Sequence, residues 1–267
     1  MKLHPTWIAF CFATVLLGDV QAFAGYVVPA RYEIKGTPGA VSRQVLEIGN
    51  DAAVPDEFSV KTADWTLTRV GGVEFDAGEL RPGSCREWVK IERYTISLPA
   101  RSKRRFRFEI HVPAGVPPQE CRFALLIERA SDVLPTVSTG AIQLPLSGRI
   151  GVIIYVAVGD IAPKLVVRDL RLELVNGSLT PVAEVENTGN AHGRFEGVLE
   201  GSDATGKKLE FTISNFPILP GENRTIAIWA ADNADGKRPE LKPPLKLNGE
   251  MEWPGGKWPV KVELKLP

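Results

Sequence analysis

Apolar side chains recur along this chain at every second position, in short runs cut by glycine and proline. Phe106, Phe108, Ile110 and Val112 alternate with Arg107, Glu109 and His111, the pattern of a strand with one buried and one wet face. The stretch Ala141-Ile142-Gln143-Leu144-Pro145-Leu146-Ser147-Gly148-Arg149 alternates in the same way. It runs into 150–158, which is β-branched or apolar at nearly every position, as a strand buried on both faces is. Read at this period, the chain predicts strands at 27–34, 44–48, 58–62, 65–70, 88–92, 106–112, 122–129 and 141–158. Val70-Gly71-Gly72-Val73 closes a hairpin. Gly159-Asp160-Ile161-Ala162-Pro163 interrupts the rhythm as a short, stiff joint. Strands resume at 165–174, 182–186, 194–200, 208–214, 224–230, 245–252 and 257–266. The expectation is an all-β chain of two antiparallel sandwiches, at 25–160 and 164–267.

Residues 1–24 stand apart from this pattern. Lys2 and His4 precede the apolar core 7–17, and Ala22-Phe23-Ala24 has the form of a signal-peptidase site. The mature chain is expected to begin at Gly25 and to be exported, with no stable membrane insertion, since no later run reaches the ~20 residues of a span. Lys and Arg total 32 and Asp and Glu total 32, so there is no electrostatic ground for a nucleic-acid partner. Cys85 and Cys121 survive removal of the leader. In an oxidising compartment such a pair reads as a disulfide, the alternative being two buried thiols. A metal site has only His111 and His192 to draw on, and none is expected; nor is a cofactor.

Catalytic motifs are missing from the sequence: it has no G-x-S-x-G elbow, no phosphate-cradling glycine loop and no H-E-x-x-H. Glu184 and Glu186 share a strand face, which reads as solvated surface before it reads as a glycosidase pair. His192 sits in the turn Asn190-Ala191-His192-Gly193. Trp253 and Trp258 flank a tight Pro254-Gly255-Gly256-Lys257 turn and are expected to staple it as a cross-strand stack. Arg101, Lys103, Arg104 and Arg105 form a basic cluster read as a solvated loop. The chain is therefore expected to bind and not to catalyse.

The run Gly148-Arg149-Ile150-Gly151-Val152-Ile153-Ile154-Tyr155, with Cys121-Arg122-Phe123-Ala124-Leu125-Leu126-Ile127-Glu128 before it, resembles the closing strands of the first domain in periplasmic pilus-assembly chaperones of the chaperone–usher type (PapD-like). The second half, through Glu184-Val185-Glu186-Asn187-Thr188-Gly189-Asn190 and Leu219-Pro220-Gly221-Glu222, resembles bacterial immunoglobulin-like modules. The resemblance implies two immunoglobulin-like sandwiches in the periplasm. It also implies partners that are secreted, pilin-like subunits and an outer-membrane usher. Subunit capture would proceed by strand donation, with Ile142, Leu144 and Leu146 the lent side chains. The family grips the subunit's terminal carboxylate with two basic residues. Arg31 stands for the first; Gly151 occupies the second position, with Arg149 two residues earlier on the same face. The competing reading is a structural or adhesive cell-surface module.

Overall fold

A computed structural model of the chain describes residues 25–68, 72–130, 148–233 and 236–266, and the strands at 136–139 and 142–145 by their backbone. The expected leader and Leu146 lie outside the described residues. No described helix is long and apolar enough to cross a membrane.

In the first half the strands are β1 (Gly25–Val28), β2 (Arg31–Gly36), β3 (Val41–Asn50), β4 (Asp56–Leu67), β5 (Val73–Asp76) and β6 (Val89–Ile91). They continue with β7 (Thr95–Leu98), β8 (Ser102–His111), β9 (Gln119–Arg129), β10 (Thr136–Thr139), β11 (Ile142–Pro145) and β12 (Arg149–Val158). One layer runs β1-β3-β8-β6, and the other β2-β12-β9-β4-β5 with β7 also on β4. Period-two alternation delivers the core between them. Phe106, Phe108 and Ile110 from one layer meet Phe58, Phe123, Leu125 and Ile154 from the other, all at most 1% exposed. Cys85 and Cys121 are joined in this core, their Cα atoms 5.6 Å apart, which settles the choice between a bridge and free thiols.

Two strands expected to be continuous are divided. The first breaks at the cis Val28–Pro29 bond, where β1 and β2 part into different layers. The long strand expected over 141–158 is two. β11 pairs antiparallel with β10 as a separate hairpin, Leu144 opposite Val137 and Ile142 opposite Thr139, and β12 starts afresh at Arg149. Pro145 supplies the reason, because it cannot donate to a ladder.

The second half contains β13 (Leu165–Val175), β14 (Ser178–Asn187), β15 (Val198–Ser202), β16 (Lys208–Ile213), β17 (Asn223–Ala230), β18 (Leu245–Trp253) and β19 (Gly256–Leu264). Their order is β13-β14-β17-β16-β15-β18-β19. The path folds over at β17, whose residues 223–227 pair with β14 and 228–230 with β16. Two layers result, closed on Phe195, Leu199, Phe211, Ile228, Leu245 and Met251. The strand expected from Arg194 begins only at Val198. Gly197 has φ +117, and a Cβ there would lie 2.8 Å from the Glu250 carbonyl oxygen, so the chain turns before the ladder starts.

Candidate functional site

β12 pairs with β9 along its whole length, from Arg149 opposite Glu128 to Val158 opposite Gln119. On its other side β2 joins in parallel only at Ile153, opposite Arg31, where the Ile153 N–H donates to the Ala30 carbonyl at 3.0 Å. Residues 149–152 thus have a strand neighbour on one side alone among the described residues. Backbone donors alternate in direction along a strand, so the N–H groups of Gly151 and Arg149 face the same way as that of Ile153. Among the described residues no strand pairs with them on that side.

The sequence-derived site residues distribute around this edge as follows. Arg31 stands where the edge closes, half exposed, with its Nε 3.3 Å from Glu33 Oε1. Arg149 precedes Ile153 by four positions, on the order of 13 Å along a strand, and is ion-paired with Glu128. Lys61 holds the same carboxylate at 2.6 Å. The structure therefore does not bring Arg31 and Arg149 together. Gly151 is also accounted for: a Cβ there would lie 2.0 Å from Phe75 Cζ, so the β5 ring fills the space a side chain would need. Ile142 and Leu144 lie on β11, with one flank taken by β10.

Beyond Arg31 a polar network joins the two halves. The His192 backbone N–H donates to Glu120 Oε1 at 2.9 Å, and His192 Nδ1 is 2.7 Å from Glu120 Oε2. The imidazole stacks on Tyr155, centroids 3.8 Å apart. Arg194 Nη2 is 3.3 Å from the Tyr155 hydroxyl, and its Nη1 donates to the Asn215 carbonyl at 2.8 Å. Arg224 Nη1 reaches the Thr68 carbonyl at 3.0 Å. Between these contacts Trp65, Ala124, Tyr155 and Leu219 form a small apolar cluster. Burial draws the Arg194 guanidinium below its ordinary value. Sequence reading placed His192 in a turn and missed Glu120, Tyr155 and Arg194. The acid comes from a strand 72 residues away. One signal was available: Tyr155 is the hydroxyl-bearing position in an otherwise apolar run.

Burial pushes the Tyr155 hydroxyl up to about 12. A folded-state value above the unfolded one gives stability that is complete below pH ~10 and lost as pH climbs toward 12. Unfolding titrations across that window should show an alkaline loss of about 2–3 kcal/mol that Tyr155→Phe removes. An identical alkaline fall in both proteins would refute the assignment.

The remaining candidates resolve into surface ion pairs and, for the tryptophans, packing against the core of the second half. Glu186 pairs with Arg168 (Nε 2.9 Å), and Glu184 is held by Arg171 at 3.2 Å and Asn223 at 3.2 Å. Trp253 faces Gly256 across the hairpin and Trp258 faces Met251. The indoles therefore are not cross-strand partners, and Trp253 instead meets Phe195 edge-on at 5.6 Å. His111 sits on the outer face with Nε2 2.9 Å from Glu109. Lys103 of the basic cluster pairs with Glu47 at 3.1 Å.

No protein family's sequence model matches the chain, and no curated protein sequence does. Among solved structures, the YadV chaperone aligns with 89% of this chain and 100% of its own at 11% identity, TM-score 0.47. A chaperone–tip adhesin complex of CFA/I fimbriae aligns over 84% and 97% at 9% identity, TM-score 0.46. The CsuC–CsuE chaperone–tip subunit complex of Acinetobacter baumannii aligns over 90% and 97% at 11% identity, TM-score 0.44.

Proposed function

We propose that this chain is an exported, non-enzymatic, pilus-chaperone-like protein that captures secreted pilin-type subunits in the periplasm. Its two immunoglobulin-like units are taken as 25–160 and 164–267. The observation that carries the reading is the half-paired leading end of β12, whose outward donors at Arg149 and Gly151 are set for an added strand. A subunit with an incomplete sheet supplies that strand. Ile142, Leu144 and Leu146 of the preceding segment fill its groove, and Arg31 meets its terminal carboxylate. Arg149, held by Glu128, joins in only by exchanging that partner. An usher is the expected recipient of the loaded complex.

The variant Leu144→Asp/Leu146→Asp tests this. Co-expressed with a secreted pilin-type subunit, it should lose at least ten-fold in co-purified subunit while its urea midpoint stays within error of the parent's. Undiminished capture refutes strand donation from this segment. A collapse of the urea midpoint would place these leucines in the protein's own core and refute it equally.

A further inference from the structure

Glu33 stands between the open edge and the joint, and one of its oxygens serves both. Oε1 lies 3.3 Å from Arg31 Nε and 3.7 Å from His192 Nε2. The first contact is made on a half-exposed surface, with both side chains 51% exposed. The second falls outside hydrogen-bond range and involves an imidazole only 10% exposed. His192 is already committed on its other nitrogen. A carboxylate oxygen accepts and does not donate, so the proton of the Glu120 contact sits on Nδ1. With the proton on Nδ1 alone, Nε2 keeps a lone pair and makes no bond to Glu33 across the 3.7 Å between them.

We propose that Glu33 is a relay. A carboxylate of a bound polypeptide that takes Arg31 releases Glu33 to His192, which gains a proton on Nε2 from solvent and then bridges Glu33 and Glu120 as an imidazolium. The step balances as a proton transfer: one N–H forms at Nε2 as one bond to hydrogen breaks in hydronium or a buffer acid, whose conjugate base leaves to solvent, and no other covalent bond changes. The groups around the ring are Glu33 from β2, Glu120 from β9, Tyr155 from β12, and the cations Arg31 and Arg194 beyond them. Two carboxylates against one imidazole favour the charged ring once Arg31 no longer neutralises Glu33. Since His192 belongs to the second half and both acids to the first, occupancy at Arg31 tightens the docking of the halves. By reciprocity, tight docking strengthens binding at Arg31. The inference rests on the proposed function for its ligand, a polypeptide carboxylate at Arg31.

The test uses the mature protein at neutral pH and an N-acetylated pentapeptide of alternating valine and threonine with a free carboxylate, its C-terminal amide being the control. Binding is read from the backbone amides of Arg149 and Gly151. The relay is read from His192, by its ring-nitrogen resonances and by exchange of its backbone amide, which Glu120 holds. The free acid should at least double the doubly protonated fraction of His192 and slow its amide exchange at least three-fold, and the amide peptide should do neither. In Glu33→Gln, half-exposed and tolerant of the change, the acid should still bind while His192 stays unresponsive. A response in Glu33→Gln equal to the parent's, or binding to the parent without any response, overturns the relay and leaves the proposed function standing. No binding of the acid to the parent overturns both.

Discussion

Replacing Cys85 and Cys121 together with alanine should lower the unfolding free energy of the first half by about 3–4 kcal/mol. The bridge spans a separation of 36 residues, and closing a loop of that length removes this much freedom from the unfolded chain in the entropy account. Both cysteines are within 2% of full burial, so alanine leaves no exposed polar group behind. The tie anchors a long connection to β9. Cys85 opens the 3-10 turn Arg86–Trp88, and the Arg86 guanidinium binds the Gly78 and Ala77 carbonyls at 3.0 Å each and Asp64 at 3.4 Å. That connection begins just past β5, whose Phe75 covers Gly151. Loss of the tie should therefore loosen the ring over the leading end of β12 as well. Urea titration, following the two halves by separate probes, checks the prediction. A loss under ~1 kcal/mol, or an equal loss in both halves, defeats it.

The layers and most strands were legible because period-two alternation and burial are the same fact seen twice. Phe106, Phe108 and Ile110 take the core, and His111 takes the outer face, as their spacing demands. What failed was continuity and long-range company. Alternation runs straight through Pro145 and Gly148, yet the ladder changes partner there, and only pairing in three dimensions decides which neighbour a strand meets. Gly151 looked like a missing cation; it is a glycine because Phe75, from a strand paired elsewhere, sits on it. His192 looked isolated for the same reason. Its acid, its stacking partner and the second carboxylate come from β9, β12 and β2, and no local spacing encodes that convergence. Where a site is built by the joint between two units, sequence periodicity describes each wall and is silent about their meeting.

Trp65→Ala should be the costliest single substitution at that joint, lowering stability by about 3–5 kcal/mol. Trp65 is 2% exposed on the outer face of its sheet, a face that would be wet in an isolated sandwich. Its Nε1 donates to the Phe123 carbonyl at 3.2 Å, its ring meets Tyr155 edge-on at 5.4 Å, and the Arg122 guanidinium lies 5.6 Å from its centroid. Leu219 of the second half completes the cluster. Removal opens a cavity between two units that are tied here by one leucine and a few polar contacts, so the space is filled more easily by their separation than by repacking. Tyr155 then loses the edge contact that fixes its ring, and the stacked His192 loses its platform. The loss of stability should come with faster exchange of the His192 amide. Trp65→Phe keeps an edge-on ring but drops the indole donor, so it should cost about 1–2 kcal/mol and leave the His192 amide close to the parent. If Trp65→Ala destabilises the protein but the His192 amide stays as protected as before, the joint does not depend on this ring, and the docking of the halves is carried by its other contacts, those of Glu120, Tyr155, Arg194 and Arg224.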